Sequence, residues 1–137
     1  MQRQKVFIYL TRESDTGPEL LVLHSHDEPG YEVPKGSVEP RETLEAAVAR
    51  ELQEESGIRT TAQPESLGTT QWKDEEQHFF HLRATDPIPD RFAHRVCSQD
   101  EDHGFLYEFC WLPLDKHLSK HLVQGCNRFL PALRSML

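Results

Sequence analysis

Counting forward from Gly36, five residues lead to Glu42, and seven more lead to Arg50-Glu51-Leu52-Gln53-Glu54-Glu55-Ser56-Gly57-Ile58. On a helix, residues three and four apart share a face, so Glu51, Glu54 and Glu55 are expected to converge. Leu44, Val48 and Leu52 recur every four residues and form an apolar stripe at a large angle from those glutamates. Three carboxylates so close repel one another at neutral pH unless cations compensate them. Hard divalent ions that prefer oxygen ligands, magnesium above all, meet that need. Arg50 can pair with Glu54 at i+4 and can reach Glu42 in the preceding loop, which would hold the carboxylates in place. Gly36, without a side chain, lets the backbone approach a metal or a phosphate closely. The ordinary reading of a glutamate-rich helix is a solvated acidic face. The glycine, Glu42, Arg50 and Gly57 at these spacings argue against it.

The segment Gly36–Ile58 is similar to the Nudix box, G-x5-E-x7-R-E-U-x-E-E-x-G-U with U aliphatic, and matches every specified position. Seven of those positions demand one residue type, and a chance match is on the order of 10⁻⁸ per starting point. The resemblance implies a Nudix fold, an α/β/α sandwich with a mixed β-sheet and a catalytic loop-helix, as a single domain over residues 1–137. It implies a hydrolase that cleaves a phosphoanhydride bond in a nucleoside diphosphate linked to another moiety, by attack of a magnesium-activated water. Manganese is the expected substitute ion. Carried over residue by residue, the carbonyl of Gly36 and the side chains of Glu51, Glu54 and Glu55 would hold metal. Glu42 would be an auxiliary ligand or stand behind the ligands, and Arg50 would orient them. The general base in such proteins is either the glutamate matching Glu51 or an acidic residue from a loop outside the box. Glu101 and Asp102 come first for the latter role, and Glu75 and Glu76 second.

Many family members have two glycines after the proline that precedes the box. Here the run is Pro34-Lys35-Gly36. It resembles members acting on dinucleoside polyphosphates and diphosphoinositol phosphates, and it makes Lys35 a candidate phosphate contact. The family also contains non-catalytic nucleotide-sensing modules, in which box carboxylates are usually lost. All are present here, which favours the enzyme.

Around the box the pattern predicts strands over Lys5–Leu10 and Glu19–His24, a turn over Thr11–Pro18, a polar loop over Ser25–Gly30 and an extended Tyr31-Glu32-Val33 held out of helix by Pro34. A helix is predicted from Thr43, its N-cap, to Ser56, with Gly57 as the C-terminal glycine. Strands over Leu67–Lys73 and Gln77–Arg83 would form a hairpin through Asp74-Glu75-Glu76. Ala84–Gly104 reads as a long polar loop, Phe105–Leu112 as a last strand, and Asp115–His121 and Gly125–Leu137 as a short and a terminal helix. Trp72 and Trp111 are expected in the core. Tyr31, Trp72 and Phe79 are candidates to stack on a nucleobase, and Arg83, Arg91 and Arg95 to clamp distal phosphates.

A net charge of −8 opposes general nucleic-acid binding, so the expected partner is a small nucleotide. Val6–Leu10, the longest apolar run near the start, is too short for a membrane span or a signal peptide, and a cytoplasmic location is expected. Cys97, Cys110 and Cys126 contain no C-x-x-C pair, which argues against disulfides and zinc knuckles. His117 and His121 lack the further ligands of a zinc site. The sequence leaves the oligomeric state open, a homodimer included.

Overall fold

The computed structural model describes residues 2–26 and 28–137; of the expected Ser25–Gly30 loop, Asp27 lies outside the described residues. β1 (Arg3–Ser14) turns into β2 (Gly17–His24), and the two pair antiparallel from Thr11↔Leu20 to Ser14↔Gly17. Beyond Thr11 they part. Lys5, Val6 and Phe7 pair instead with Ser37, Gly36 and Lys35 of β3 (Lys35–Ser37), and Leu23 bridges Glu32. Pro34 has no N–H to give and contributes its carbonyl, which accepts from Ile8 N at 2.9 Å. The segment 31–37 is thus wedged between two splayed strands, which fixes Gly36 in the sheet rather than on a free loop.

From there the chain enters α1 (Leu44–Ser56). Thr43 Oγ1 accepts from Ala46 N at 3.1 Å, and Gly57, at φ +77°, closes the helix through its N–H to Gln53 O. Both caps are those expected from the sequence. β4 (Glu65–Trp72) and β5 (Glu75–Arg83) form a hairpin, and β5 runs parallel to β1 over Arg3–Thr11. β6 (Arg91–Arg95), β7 (Leu106–Pro113), α2 (Leu118–His121) and α3 (Leu130–Met136) complete the chain. The strand order is β4-β5-β1-β2-β7-β6, with β3 against β1, so the sheet is mixed.

Successive side chains of a strand point to opposite faces, and β1 is apolar on both. Val6, Ile8 and Leu10 meet Val48 and Leu52 of α1 on one face. Phe7 and Tyr9 meet Leu118, Leu130 and Leu133 of α2 and α3 on the other. This is the α/β/α sandwich. Among the described residues, no helix is long and apolar enough to cross a membrane.

Several expectations change: the β4–β5 turn is Lys73-Asp74, with Glu75 and Glu76 already in β5, and the short helix spans only Leu118–His121. Ala84–Gly104 is not one long loop, because Arg91–Arg95 pairs with β7 and Phe92 stacks on Phe109 at 4.8 Å. The terminal helix begins only at Leu130. The turn between the first strands shrinks to Asp15-Thr16, since the hairpin zips to Ser14↔Gly17. Trp72, expected in the core, is 46% exposed at the tip of β4, whereas Trp111 is buried and donates from Nε1 to Pro89 O.

Candidate active site

A side chain at Gly36 would overlap the carboxylate of Glu51. The clash is with the end of a side chain, but that carboxylate is buried and held by Arg50 at 2.8 Å, so it has little room to give way. Gly36→Ala is therefore expected to destabilise the protein by about 1–3 kcal/mol, the usual cost of overpacking. An unchanged urea midpoint would refute that contact.

Glu51 and Glu55 are both buried on the side of α1 facing the sheet, beside Val48 and Leu52. The expected wide separation from the apolar stripe is not found: Glu55 is three residues from Leu52, and such a step keeps neighbours on one face. The three glutamates also divide. Glu51 and Glu54 bring an oxygen each to within 4.8 Å of Asp100, while Glu55 Oε1 accepts from Lys35 N at 3.0 Å with Asp102 alongside. Asp100 was not singled out from the sequence. The acidic run Asp100-Glu101-Asp102 was a signal for it, but which member turns inward depends on the loop. That loop is tied to the helix by Cys97 N donating to Glu54 O at 3.2 Å.

Arg50 organises the cluster. Its guanidinium forks onto Glu42 at 2.8 and 2.9 Å and reaches Glu51 at 2.8 Å, Glu54 at 3.2 Å and the Ser37 carbonyl at 2.8 Å. These bonds hold the Glu42 carboxyl below the usual range. They do not reach Glu55. Burial pushes Glu51 up to about 7 against the pull of Arg50, and burial pushes Glu55 well up, with Glu51 and Asp102 adding to the effect. Glu42, Glu51, Glu54, Glu55, Asp100 and Asp102 share this corner with the Arg50 guanidinium, so ionising them all calls for further positive charge.

A family model of the NUDIX domain matches residues 1–133. The chain belongs to the Nudix family. It is 50% identical over 38 residues to YtkD of Bacillus subtilis (strain 168), assigned as an 8-oxo-dGTP diphosphatase. That segment is 28% of this chain and spans about a quarter of the relative's length (24%). The Nudix domain of Shewanella oneidensis NrtR, solved with ADP ribose, superposes with a TM-score of 0.71 at 17% identity, covering 99% of this chain and 88% of that one. A MutT structure, from work on the Aliivibrio salmonicida and Vibrio cholerae proteins, gives 0.70 at 20% identity, covering 98% and 96%. Likeness at these identities shows the fold.

In this Nudix domain the carboxylates open onto a cavity of about 640 Å³. Its basic wall is Arg3, Lys5 and Lys35, and its acidic wall is Glu51, Glu55 and the loop 99–102. Lys35 Nζ is paired with the Glu32 carboxylate. Glu101 lines the cavity and is exposed, while Asp102 accepts from Ser98 Oγ at 3.0 Å and Tyr107 OH at 3.4 Å. Glu75 and Glu76 lie elsewhere: Glu75 sits near Arg3 and accepts from Gln77 Nε2, and Glu76 faces His78. Arg83, Arg91 and Arg95 do not line this cavity. The last two belong to β6, where Arg95 is spent on the Gly104 carbonyl. Phe79, a stacking candidate from the sequence, is fully buried between Phe7 and Phe129. Tyr31 borders a separate cleft with His24 and Arg91.

Proposed function

We propose that the chain is a magnesium-dependent Nudix diphosphohydrolase acting on a nucleoside diphosphate linked to a second moiety. The observation that carries this reading is the set of buried, under-compensated carboxylates against Gly36. The donor set is all oxygen, the chemistry that hard divalent ions select, and a Cβ at Gly36 would fill part of the cradle. Glu51, Glu54, Glu55 and the Gly36 carbonyl would hold the ion, with Asp100 now added to the set. When bound, such an ion lowers the pKa of a coordinated water and neutralises charge on the diphosphate.

The protein's own groups do the rest. Arg50 and Glu42 keep Glu51 and Glu54 in position. Lys35, Lys5 and Arg3 face the phosphate oxygens across the cavity. Asp100 and Glu101 are the loop carboxylates without side-chain hydrogen-bond partners among the described residues; with Asp100 drawn to Glu51 and Glu54, Glu101 is suited to take the proton from the attacking water. Asp102 is held by Ser98 and Tyr107 and keeps the loop against Glu55. Trp72, half exposed, lines an adjoining cavity that shares Arg3, Lys5 and Lys35 with this one.

The test is a panel of nucleoside diphosphate derivatives, with dinucleoside polyphosphates, nucleotide sugars and oxidised nucleoside triphosphates included. Phosphate-containing products should appear with magnesium and vanish with chelator. Nucleotide that binds and stays intact for hours with magnesium would overturn this reading in favour of a sensor.

A further inference from the structure

The cavity beside the carboxylates does not end at Lys35. Arg3, Lys5, Glu32 and Lys35 also form one wall of an adjoining cavity of about 470 Å³, which runs to the β4–β5 turn and the segment 123–128. Its lining sets Arg3, Lys5, Lys35, Lys73 and Arg128 against Glu28, Glu32, Asp74 and Glu75, a small local excess of positive charge that is unevenly paired. Lys35 is paired with Glu32, and Arg3 lies near Asp74 and Glu75. Lys5, Lys73 and Arg128 have no carboxylate at ion-pair distance among the described residues, although the chain as a whole carries −8.

Two of these cations are placed around one aromatic ring. The Arg128 guanidinium lies 5.0 Å from the Trp72 centroid and the Lys73 ammonium 5.6 Å from it. Arg128 Nε is buried without a hydrogen-bond partner among the described residues. Lys73 occupies the left-handed region at φ +54°, where glycine or asparagine would be easier, so the turn carries a conformational cost together with its charge. Cations without carboxylate partners among the described residues, fixed over a half-exposed tryptophan in a cavity adjoining the carboxylates, make an anion site.

We infer that this arm is a distal phosphate subsite: the substrate carries a further phosphate group beyond the diphosphate that is cut, held by Lys5, Lys73 and Arg128 beside Trp72. The inference rests on the diphosphohydrolase reading and narrows its substrate class. An extra phosphate could sit on a ribose or lengthen the chain between two nucleosides. The chemistry of recognition is the same, and the experiment separates the sources.

Hydrolysis with magnesium is compared within two pairs, NADPH against NADH and diadenosine tetraphosphate against diadenosine diphosphate. The phosphate-richer member of at least one pair should be favoured about tenfold or more in kcat/KM, chiefly through KM. In the K73Q/R128Q double variant that ratio should collapse to about twofold or less. Preference confined to the first pair assigns the ribose phosphate, and preference confined to the second assigns the chain. Equal use of both members in both pairs overturns the subsite and leaves the hydrolase reading standing. Absence of turnover on these four compounds and on the wider panel overturns the hydrolase reading. Titration of metal-free protein with inorganic tripolyphosphate then decides the subsite alone, followed by the tryptophan emission that Trp72→Phe removes. Saturable quenching lost in K73Q/R128Q supports the subsite, and identical titrations of both proteins overturn it.

Discussion

Glutamine at position 55 is expected to give a protein that melts higher without metal and turns over on the order of 10³-fold more slowly with it. Glu55 is almost fully buried, its pKa is raised by that burial, and neither Arg50 nor Lys35 Nζ is hydrogen-bonded to it. Its folded-state pKa lies above the unfolded value of 4.5, so the penalty for the charged form is absent below that value. It grows as pH rises toward the folded-state pKa and is complete above it. Glutamine removes the charge yet keeps an oxygen to accept from Lys35 N. The gain should be about 1–3 kcal/mol at pH 8, or roughly 3–8 °C, shrinking toward zero at pH 5. Catalysis moves the other way, because glutamine lacks the anionic oxygen that would hold the dication, and the dication is what would neutralise charge on the diphosphate. Thermal melts in chelator at the two pH values, with product release in magnesium, read both effects. A variant that melts lower than the parent at pH 8, or keeps a tenth of its turnover, would sink the account of this side chain.

Such a trade-off marks where local sequence rules fail because function overrides them. The helix was legible from its period and caps, and both caps formed as read. The box positions were legible because they are spaced along one helix and its lead-in. What escaped was set by distant parts of the chain. Glu51 and Glu55 look like solvated charges on a helical projection, and only the wedge of 31–37 between β1 and β2 brings backbone over them. Asp100 becomes part of the cluster through a loop anchored at Cys97 N and Ser98, and no periodicity encodes that. β6 was hidden for the opposite reason: Arg91–Arg95 has the alternation of a strand but only five residues, between a Pro-rich stretch and an acidic run. Trp72 was misassigned because a large aromatic on a strand is ordinarily core. At the last position before a two-residue turn it has no opposing layer to fill.

Arg50→Lys, conservative in charge, is expected to cost about 2–4 kcal/mol of stability and to lower kcat/KM on the order of 10²-fold. A guanidinium has five N–H donors in a rigid fork, and here all are engaged. Nε and one Nη2 hydrogen go to the two oxygens of Glu42, the other Nη2 hydrogen to the Ser37 carbonyl, and Nη1 serves both Glu51 and Glu54. An ammonium offers three donors from one point. It cannot bridge Glu42 on the lead-in loop and Glu51 and Glu54 on the helix while also binding the chain beside Gly36. Part-buried carboxylates would be left without their partner, which is the costly way to break such a network. The coupling should appear in a double-mutant cycle with Glu42→Gln, in which the paired losses add to less than their sum by about 1–3 kcal/mol. Urea denaturation of the four proteins measures it. Additive losses, or Arg50→Lys within about 0.5 kcal/mol of the parent, would mean that the carboxylates are held by the helix and the Gly36 turn alone.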